Sequence, residues 1–261
     1  MKFTIARRVV QLAILGLFIA GNIYGVNILK GNLSSSELFG VIGLSDPYAL
    51  LQLFLAGFSV GSASVIGALI MVVFYALIAP RAFCSWVCPV NILTDLGAYI
   101  RTKLKIGKNL VNISSNSRYY LFALSLIFSF AFSIAAFESI SYIGAFTRGV
   151  VYLSGSAISI AIIIICIEAF LGKRLICGHL CPLGAFWALV SRFSLIRIYH
   201  NSKNCTHCNK CKVVCPEMQV LDIVGKQSGN IRSECISCGR CVEACDDDAL
   251  NFSILKFRRE Q

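Results

Sequence analysis

The sequence predicts an α-helical membrane protein, four transmembrane helices in a two-fold tandem repeat, followed by a small cysteine-rich α+β domain. Three observations predict this. Of the 261 residues 57% are hydrophobic and only 14% are charged, more apolar surface than a small globular core hides. A short cysteine motif beginning at Cys84 recurs 93 residues later, at Cys177. Of the 13 cysteines, eight crowd into the last quarter of the chain.

A spanning helix needs about 20 mostly apolar residues, and 8–29, 61–80, 119–137 and 152–172 provide them. The net charge of +11 would suit a nucleic-acid binder, but its distribution argues against one. Of the 24 lysines and arginines, only Lys30 and Arg148 lie in the connections after the first and third spans. All others, from Lys2, Arg7 and Arg8 onward, flank the opposite ends, which the positive-inside rule assigns to the cytoplasm. Both termini and the cysteine-rich domain are therefore expected on the cytoplasmic side, where thiols stay reduced. The first apolar run lacks a clear small-x-small cleavage site and is read as a retained helix.

The first span is polar in its second half (Asn22, Tyr24, Asn27), as a face packed on other helices would be. Residues 30–60 form the longer outer connection. Within it Gly43, Asp46 and Pro47 mark a turn, and the apolar stretch from Tyr48 to Phe58 is too short to span and suits an interfacial or oblique segment.

The second span ends at Pro80 and Arg81 and runs into Cys84-Ser-Trp-Val-Cys88-Pro89. The fourth ends at Lys173 and Arg174 and runs into Cys177-Gly-His-Leu-Cys181-Pro182. Arg81 aligns with Arg174, and both cysteines and the proline follow suit, so each repeat unit is two spans, a C-x-x-x-C-P motif and a segment along the inner face. Those segments, 90–106 and 183–200, mix apolar and basic residues as interfacial helices do. Proline suits the first helical position, which would make Cys88 and Cys181 N-cap residues whose thiolates the helix terminus stabilises.

Some residues have an ordinary structural reading. His179 suits a satisfied interfacial histidine, and Glu138 and Arg148 suit solvated loop charges. Glu168, an acid within the fourth span, is either functional or a structural partner of Lys173. Cys166 belongs to no motif.

The last quarter reads C-x-x-C-x-x-C-x-x-x-C twice, at Cys205, Cys208, Cys211 and Cys215 (then Pro216), and at Cys235, Cys238, Cys241 and Cys245. In two-cluster ferredoxins each such run gives three thiolates to one [4Fe–4S] cluster and its fourth to the other. The expected ligand sets are Cys205, Cys208, Cys211 and Cys245 for the first cluster, and Cys235, Cys238, Cys241 and Cys215 for the second. Zinc ribbons pair two C-x-x-C knuckles and do not show this spacing. The expected organisation is a membrane domain over 1–200 and a ferredoxin-like domain over 201–261. After Cys245 stand Asp246, Asp247 and Asp248 where proline is usual, and their charge should lower the potential of the cluster that Cys245 binds.

Cys84, Cys88, Cys177 and Cys181 are the right number of thiolates for one more iron–sulfur or other thiolate-bound metal centre, with redox-active thiols as the alternative. Disulfides are disfavoured on the cytoplasmic side.

Four spans, two inner C-x-x-x-C-P motifs and a C-terminal two-cluster domain together resemble the NapH family, the membrane quinol dehydrogenase component of periplasmic nitrate reductase systems. The resemblance covers nearly the whole chain. It implies a multi-pass protein of the bacterial inner membrane that takes electrons from ubiquinol or menaquinol in the quinone pool. These would pass through an iron–sulfur partner of the NapG type to the periplasmic nitrate reductase. The membrane core also resembles the NosR and CcoG proteins, which typically carry a further periplasmic domain. Two other functions fit the same features: an electron donor for copper-centre assembly or another periplasmic reductase, and a non-catalytic membrane anchor for an iron–sulfur partner. For the quinol itself only Asp46, Glu138 and Tyr142, near the outer ends of spans, suggest themselves.

Overall fold

The computed structural model describes residues 2–79, 81–107, 109–111 and 113–254. Pro80, Lys108 and the basic tail from 255 lie outside the described residues.

Helix α1 (Lys2–Ile23) has 22 residues and is the one described helix long and apolar enough to cross a membrane. It lies earlier than the 8–29 expected. The Asn22 side chain accepts from the Gly31 N–H at 3.1 Å and donates to the Gly31 carbonyl at 2.8 Å, tying the helix end to the following strand, so Tyr24 and Asn27 fall beyond it. A three-stranded antiparallel meander follows, β1 (Leu29–Gly31), β2 (Ser35–Leu38) and β3 (Ile42–Ser45). Strands this short carry too few alternations to be read from sequence. Helix α2 (Pro47–Leu55) begins where the Asp46 carboxylate accepts from the Tyr48 N–H at 3.0 Å, with Pro47 in the first turn.

The remaining expected spans are shorter apolar helices. Helix α3 (Ser62–Ile78) has 17 residues, about 26 Å at 1.5 Å per residue, against a hydrocarbon core of about 30 Å. Helix α4 (Val90–Lys103) follows the first cysteine motif. Next come α5 (Ser117–Phe132), α6 (Ala136–Ile140) and α7 (Tyr142–Val151), the last capped by Ser141, which accepts from the Gly144 N–H at 3.2 Å. Helix α8 (Ser156–Cys166) continues through a π-helical turn, Ile167–Leu171, and α9 (Pro182–Val190) follows the second motif.

Residues 183–200 do not form one interfacial helix. Ser194 turns extended (φ −60°, ψ 140°), and Ile196–His200 becomes strand β4, whose alternation Ile196, Ile198, His200 suits a sheet better than a helix face. It forms the centre of a sheet ordered β5-β4-β6, with β5 (Gly229–Asn230) and β6 (Leu250–Ile254) antiparallel to it, and α10 (Lys210–Val214) and α11 (Arg240–Glu243) complete the element list.

The chain divides into two compact units. The first is Met1–Val10, Phe74–Val87 and Trp187–Gln261. Its core is built from Ile198, Val220, Leu221, Ile231 and Leu250 together with cysteine side chains. The start of α1 is fastened to it: the Phe3 N–H donates to the Glu243 carboxylate, and Gly239, at φ +74°, leaves room where a Cβ would lie 2.7 Å from the Phe3 ring. Trp187 packs between Tyr75 and Phe83, at 5.1 and 5.5 Å between ring centres.

The second unit is Gln11–Val73 and Cys88–Phe186. Here α4 packs against α8 and its π-helical extension, an approach that requires Gly97: a Cβ there would lie 2.6 Å from the Glu168 Cβ. Tyr48 is fully buried among Phe122, Phe137 and Phe186, and its hydroxyl pairs with that of Ser125.

Candidate functional site

In the ferredoxin-like part the two cysteine runs adopt the same backbone. His207 and Asn209 have φ of 59° and 57°, and Ser237 and Gly239 have 51° and 74°. These left-handed residues curl each loop before its third cysteine enters a short helix, Cys211 in α10 and Cys241 in α11. The Ser237 N–H points at the Cys235 sulfur, 3.4 Å away. Cys205, Cys208, Cys211 and Cys245 line a common cavity of about 260 Å³.

Burial raises the Cys211 thiol, and the neighbouring charges of Cys245, Cys205 and Cys208 raise it further. Cys241 is raised by burial and by Cys235, Cys238 and Cys215, and Cys235 by burial, Cys238 and Cys215. Two groups of thiols are thus brought together, the second buried throughout and the first with Cys211 buried beside the more open Cys205, Cys208 and Cys245, and a cationic centre would hold them as thiolates. Among the described residues no three His, Cys, Asp or Glu side chains converge tightly enough for a single ion. Four sulfurs around a cavity fit a multinuclear cluster, whereas zinc draws its sulfurs to about 2.3 Å.

The first C-x-x-x-C-P motif begins with Arg81 at φ 44° and forms a π-helical turn, Phe83–Val87. Its side chains bind the loop that carries Cys235. Arg81, buried, donates to the Glu234 carbonyl at 2.8 Å and pairs with the Glu217 carboxylate at 2.6 Å. The Ser85 hydroxyl donates to the Ile236 carbonyl at 2.5 Å, and the Trp86 indole N–H to the Ser237 carbonyl at 3.2 Å. The Arg-to-Cys spacing was visible in the sequence, but these partners, some 150 residues away, were not.

The second motif repeats the backbone: Arg174 at φ 58°, then a π-helical turn, Ile176–Leu180. Here Arg174 donates to the Thr94 hydroxyl at 2.9 Å and pairs with Asp95. Glu168 takes the Ile176 N–H at 3.0 Å rather than pairing with Lys173, so this buried acid holds the start of the cysteine turn. Arg118 reaches the Gly178 carbonyl at 3.4 Å, and Gln11 donates to the Cys88 carbonyl at 3.1 Å. The His179 ring meets the Arg174 carbonyl at 3.2 Å, a satisfied histidine.

Cys181, extended at φ −81° and ψ 109°, directly precedes Pro182 at the start of α9 and sits at the cap. Cys88 does not: Pro89 is already helical (φ −72°, ψ −22°) and occupies the cap of α4, one residue later than expected. Cys88, Cys177 and Cys181 lie within electrostatic range of one another, and burial, followed by the other two thiolates, pushes the Cys177 thiol well up. Cys84 belongs to the first unit.

Sequence reasoning assigned Tyr142 to an outer end. The residue is half-buried, but its hydroxyl is buried within range of these thiols: desolvation and then the charges of Cys181, Cys177 and Cys88 raise it well above the ordinary tyrosine range. Its hydroxyl has no conventional hydrogen-bond partner among the described residues. A tyrosine following a serine in a loop carries no sequence signal for such a position. Asp46 serves as the α2 cap, and burial raises its carboxyl to about 7. Glu138 is bound by the Ser34 hydroxyl at 2.7 Å and by Arg148 at 3.5 Å, so it is partnered rather than a free loop charge. Asp246 pairs with Lys210, and Asp247 accepts from Thr206.

Residues 60–107 and 153–198 each match the family described as "4Fe-4S binding domain", and 197–246 match "4Fe-4S dicluster domain". The chain is 37% identical over 258 residues to "Ferredoxin-type protein NapH" of Haemophilus influenzae, covering 97% of this chain and 90% of that protein. It is 33% identical over 257 residues to the Escherichia coli protein of the same name, covering 97% and 89%. A "Methylamine utilization ferredoxin-type protein MauN" of Paracoccus denitrificans is 37% identical over 221 residues, covering 84% and 78%. No solved structure matches. With its cysteine loops folded as ferredoxin runs and its length matched almost end to end, the chain belongs to the NapH family of ferredoxin-type iron–sulfur electron-transfer proteins.

Proposed function

We propose that the chain is a membrane-bound subunit that takes electrons from quinol and passes them, through an iron–sulfur partner of the NapG type, to a periplasmic nitrate reductase. The observation that carries the reading is the packing of the two thiol groups into one core: Cys211, Cys215, Cys235 and Cys241 belong to the same buried cluster and Cys245 packs against it, so the two groups are neighbours, as the stations of an electron wire must be. We assign Cys205, Cys208, Cys211 and Cys245 to one [4Fe–4S] cluster and Cys235, Cys238, Cys241 and Cys215 to the other. Bound there, the clusters supply one-electron storage. The protein's part is to bury the sulfurs, exclude water and hold the loops. Oxidising one quinol breaks two O–H bonds, releases two protons and yields the quinone and two electrons, which clusters held at these cysteines would take up singly.

A third thiolate-bound centre at Cys177, Cys181 and Cys88 completes the proposal. Its support is the crowding of the three thiols and the double match of one 4Fe-4S family, each match containing one motif. Four spans are proposed as α1, α3, α5 and α8 with its π-helical extension. Large apolar side chains stay exposed along them, among them Leu12, Ile66, Ile127 and Ile162, which suits a lipid surface. The basic residues would then keep both termini on the cytoplasmic side of the inner membrane. The membrane part runs over 1–200 and the ferredoxin-like part over 201–261, the latter borrowing β4 as its central strand. The similarity to a methylamine utilization protein favours a second reading, service to another periplasmic oxidoreductase by the same chemistry.

The test is EPR of anaerobically purified protein in lipid, before and after a menaquinol analogue, with iron and sulfide counts. Quinol-dependent cluster signals are expected. Clusters that answer dithionite but never quinol, even with the iron–sulfur partner present, would overturn the reading in favour of an assembly factor or an anchor.

A further inference from the structure

The first unit contains a second cavity, of about 440 Å³, lined in part by Ser237 of the Cys235 loop. Its walls are aromatic, with Phe74, Tyr75, Trp86 and Phe252 from three separate stretches of chain, and Ala79 and Ser237 also line it. The volume falls in the usual range for small-molecule sites, about 300–1,000 Å³. Almost all of its lining is apolar, which rules out a sugar, a nucleotide or a charged acid as occupant. Flat aromatic walls suit a planar ring, which they hold by offset and edge contacts.

Two features choose among planar apolar ligands. Ser237 lies between Cys235 and Cys238, and its carbonyl is bound by the indole of Trp86, another wall residue, so the cavity is fixed to a cluster-bearing loop. Phe74 and Ile78 are on the last turns of α3, an apolar helix, and both keep part of their surface exposed, so the cavity opens beside that apolar helix end. On the membrane reading above, a ligand here would have access from lipid and would lie beside a loop that carries two of the proposed cluster cysteines.

We propose that this cavity binds the head group of the quinol, between the end of α3 and the Cys235 loop. The inference rests on the quinol reading above and deepens it: it moves the site from Asp46, Glu138 and Tyr142 to the face of the cluster loop. Asp46 caps α2, Glu138 pairs with Arg148, and the Tyr142 hydroxyl lies near thiols, so each of the three already has a local role.

The experiment uses full-length protein in lipid nanodiscs with its clusters intact. The probe is heptyl-hydroxyquinoline N-oxide, a quinol mimic whose fluorescence is lost on binding. Wild type should bind one equivalent. Ala79→Phe, which fills the cavity, should weaken binding by at least about tenfold. Ile78→Trp narrows the mouth from a half-exposed position and should act in the same direction with less risk to folding. Ile158→Phe, on the exposed face of α8, should leave binding unchanged. Iron content establishes that each variant is folded, and quinol-driven cluster reduction is followed in parallel. If quinol reduces the clusters but both cavity variants bind and react like wild type, the location is overturned while quinol oxidation stands. If wild type neither binds the probe nor accepts electrons from quinol, both fall.

Discussion

The two C-x-x-x-C-P motifs share a pattern and a backbone, yet they are held by different kinds of partner. Each opens with an arginine in the left-handed region and turns through a π-helical segment, a distortion often found at functional sites. The first motif directs its side chains at peptide carbonyls of the Cys235 loop, with Arg81, Ser85 and Trp86 donating to those of Glu234, Ile236 and Ser237. The second is held inside the helical unit by Arg118, Glu168, Thr94 and Asp95, around a nest of thiols and one buried phenol hydroxyl. One backbone scaffold thus occurs twice with different side chains around it. The first copy clamps the Cys235 loop, and the second is tied into the helical unit beside Cys177 and Cys181.

The arginines break this comparison most sharply. Arg81 and Glu217 are both almost fully buried, at 1% and 4% side-chain exposure, and removing one partner of such a pair costs about 3–5 kcal/mol. Arg81→Met should lower the thermal stability of the ferredoxin-like part by an amount of that order and strip its cluster signals first. Arg174→Met should act on the helical unit instead, and less strongly, because Asp95 is 11% exposed and keeps some hydration. Thermal melts followed by cluster absorbance, together with EPR, separate the two. Loss of the same signals in both variants would show that the motifs are not differently employed.

The limits of sequence reading fall along the same line. The ferredoxin runs were legible because a cluster demands a fixed spacing, and the cap at Cys181 because Pro182 follows directly, although the same rule placed Cys88 at a cap that Pro89 occupies. The duplicated motif was legible from its offset. What escaped depended on distant partners or on very short elements: the meander at 29–45, strand β4, the link from Ser85 to Ile236, and the burial of the Tyr142 hydroxyl. Local propensity could not separate 183–200 into a helix and a strand, because the strand is specified by its pairing with Leu250–Ile254. Glu168 was ambiguous for the same reason, since its partner is a backbone amide eight residues on.

A smaller effect is expected at Tyr142. If the proposed third centre is held at Cys88, Cys177 and Cys181, a hydroxyl beside its sulfurs would stabilise the added negative charge of the reduced state, since hydrogen bonds to sulfur are among the determinants of cluster potential. Tyr142→Phe keeps the ring and removes only the hydroxyl, so it should lower one midpoint potential by an amount on the order of tens of millivolts and leave the ferredoxin-like clusters alone. A redox titration that moves all centres together, or none, would remove Tyr142 from the site. No counterpart is expected in the first motif, where Trp86 donates to a peptide carbonyl rather than to sulfur.

The smallest effect belongs to the acids after Cys245, where the second ferredoxin run departs from the first in lacking proline. Asp246 and Asp247 are surface groups, and Asp246 is already paired with Lys210, itself 59% exposed, so their influence on the neighbouring cluster is partly neutralised and open to screening. Asp246→Asn with Asp247→Asn should still raise the potential of the cluster assigned to Cys205, Cys208, Cys211 and Cys245, by less than Tyr142→Phe lowers its own centre. Lys210→Gln should move the same potential downward, because it uncovers the Asp246 charge. Both shifts should shrink as ionic strength rises from about 0.01 to 1 M, as the screening length falls from about 30 to 3 Å. Opposite signs that converge at high salt would identify through-space charge as the cause. Equal shifts at every salt concentration would instead point to a change in the Cys245 loop itself, and unchanged potentials would leave the three aspartates as solvating surface.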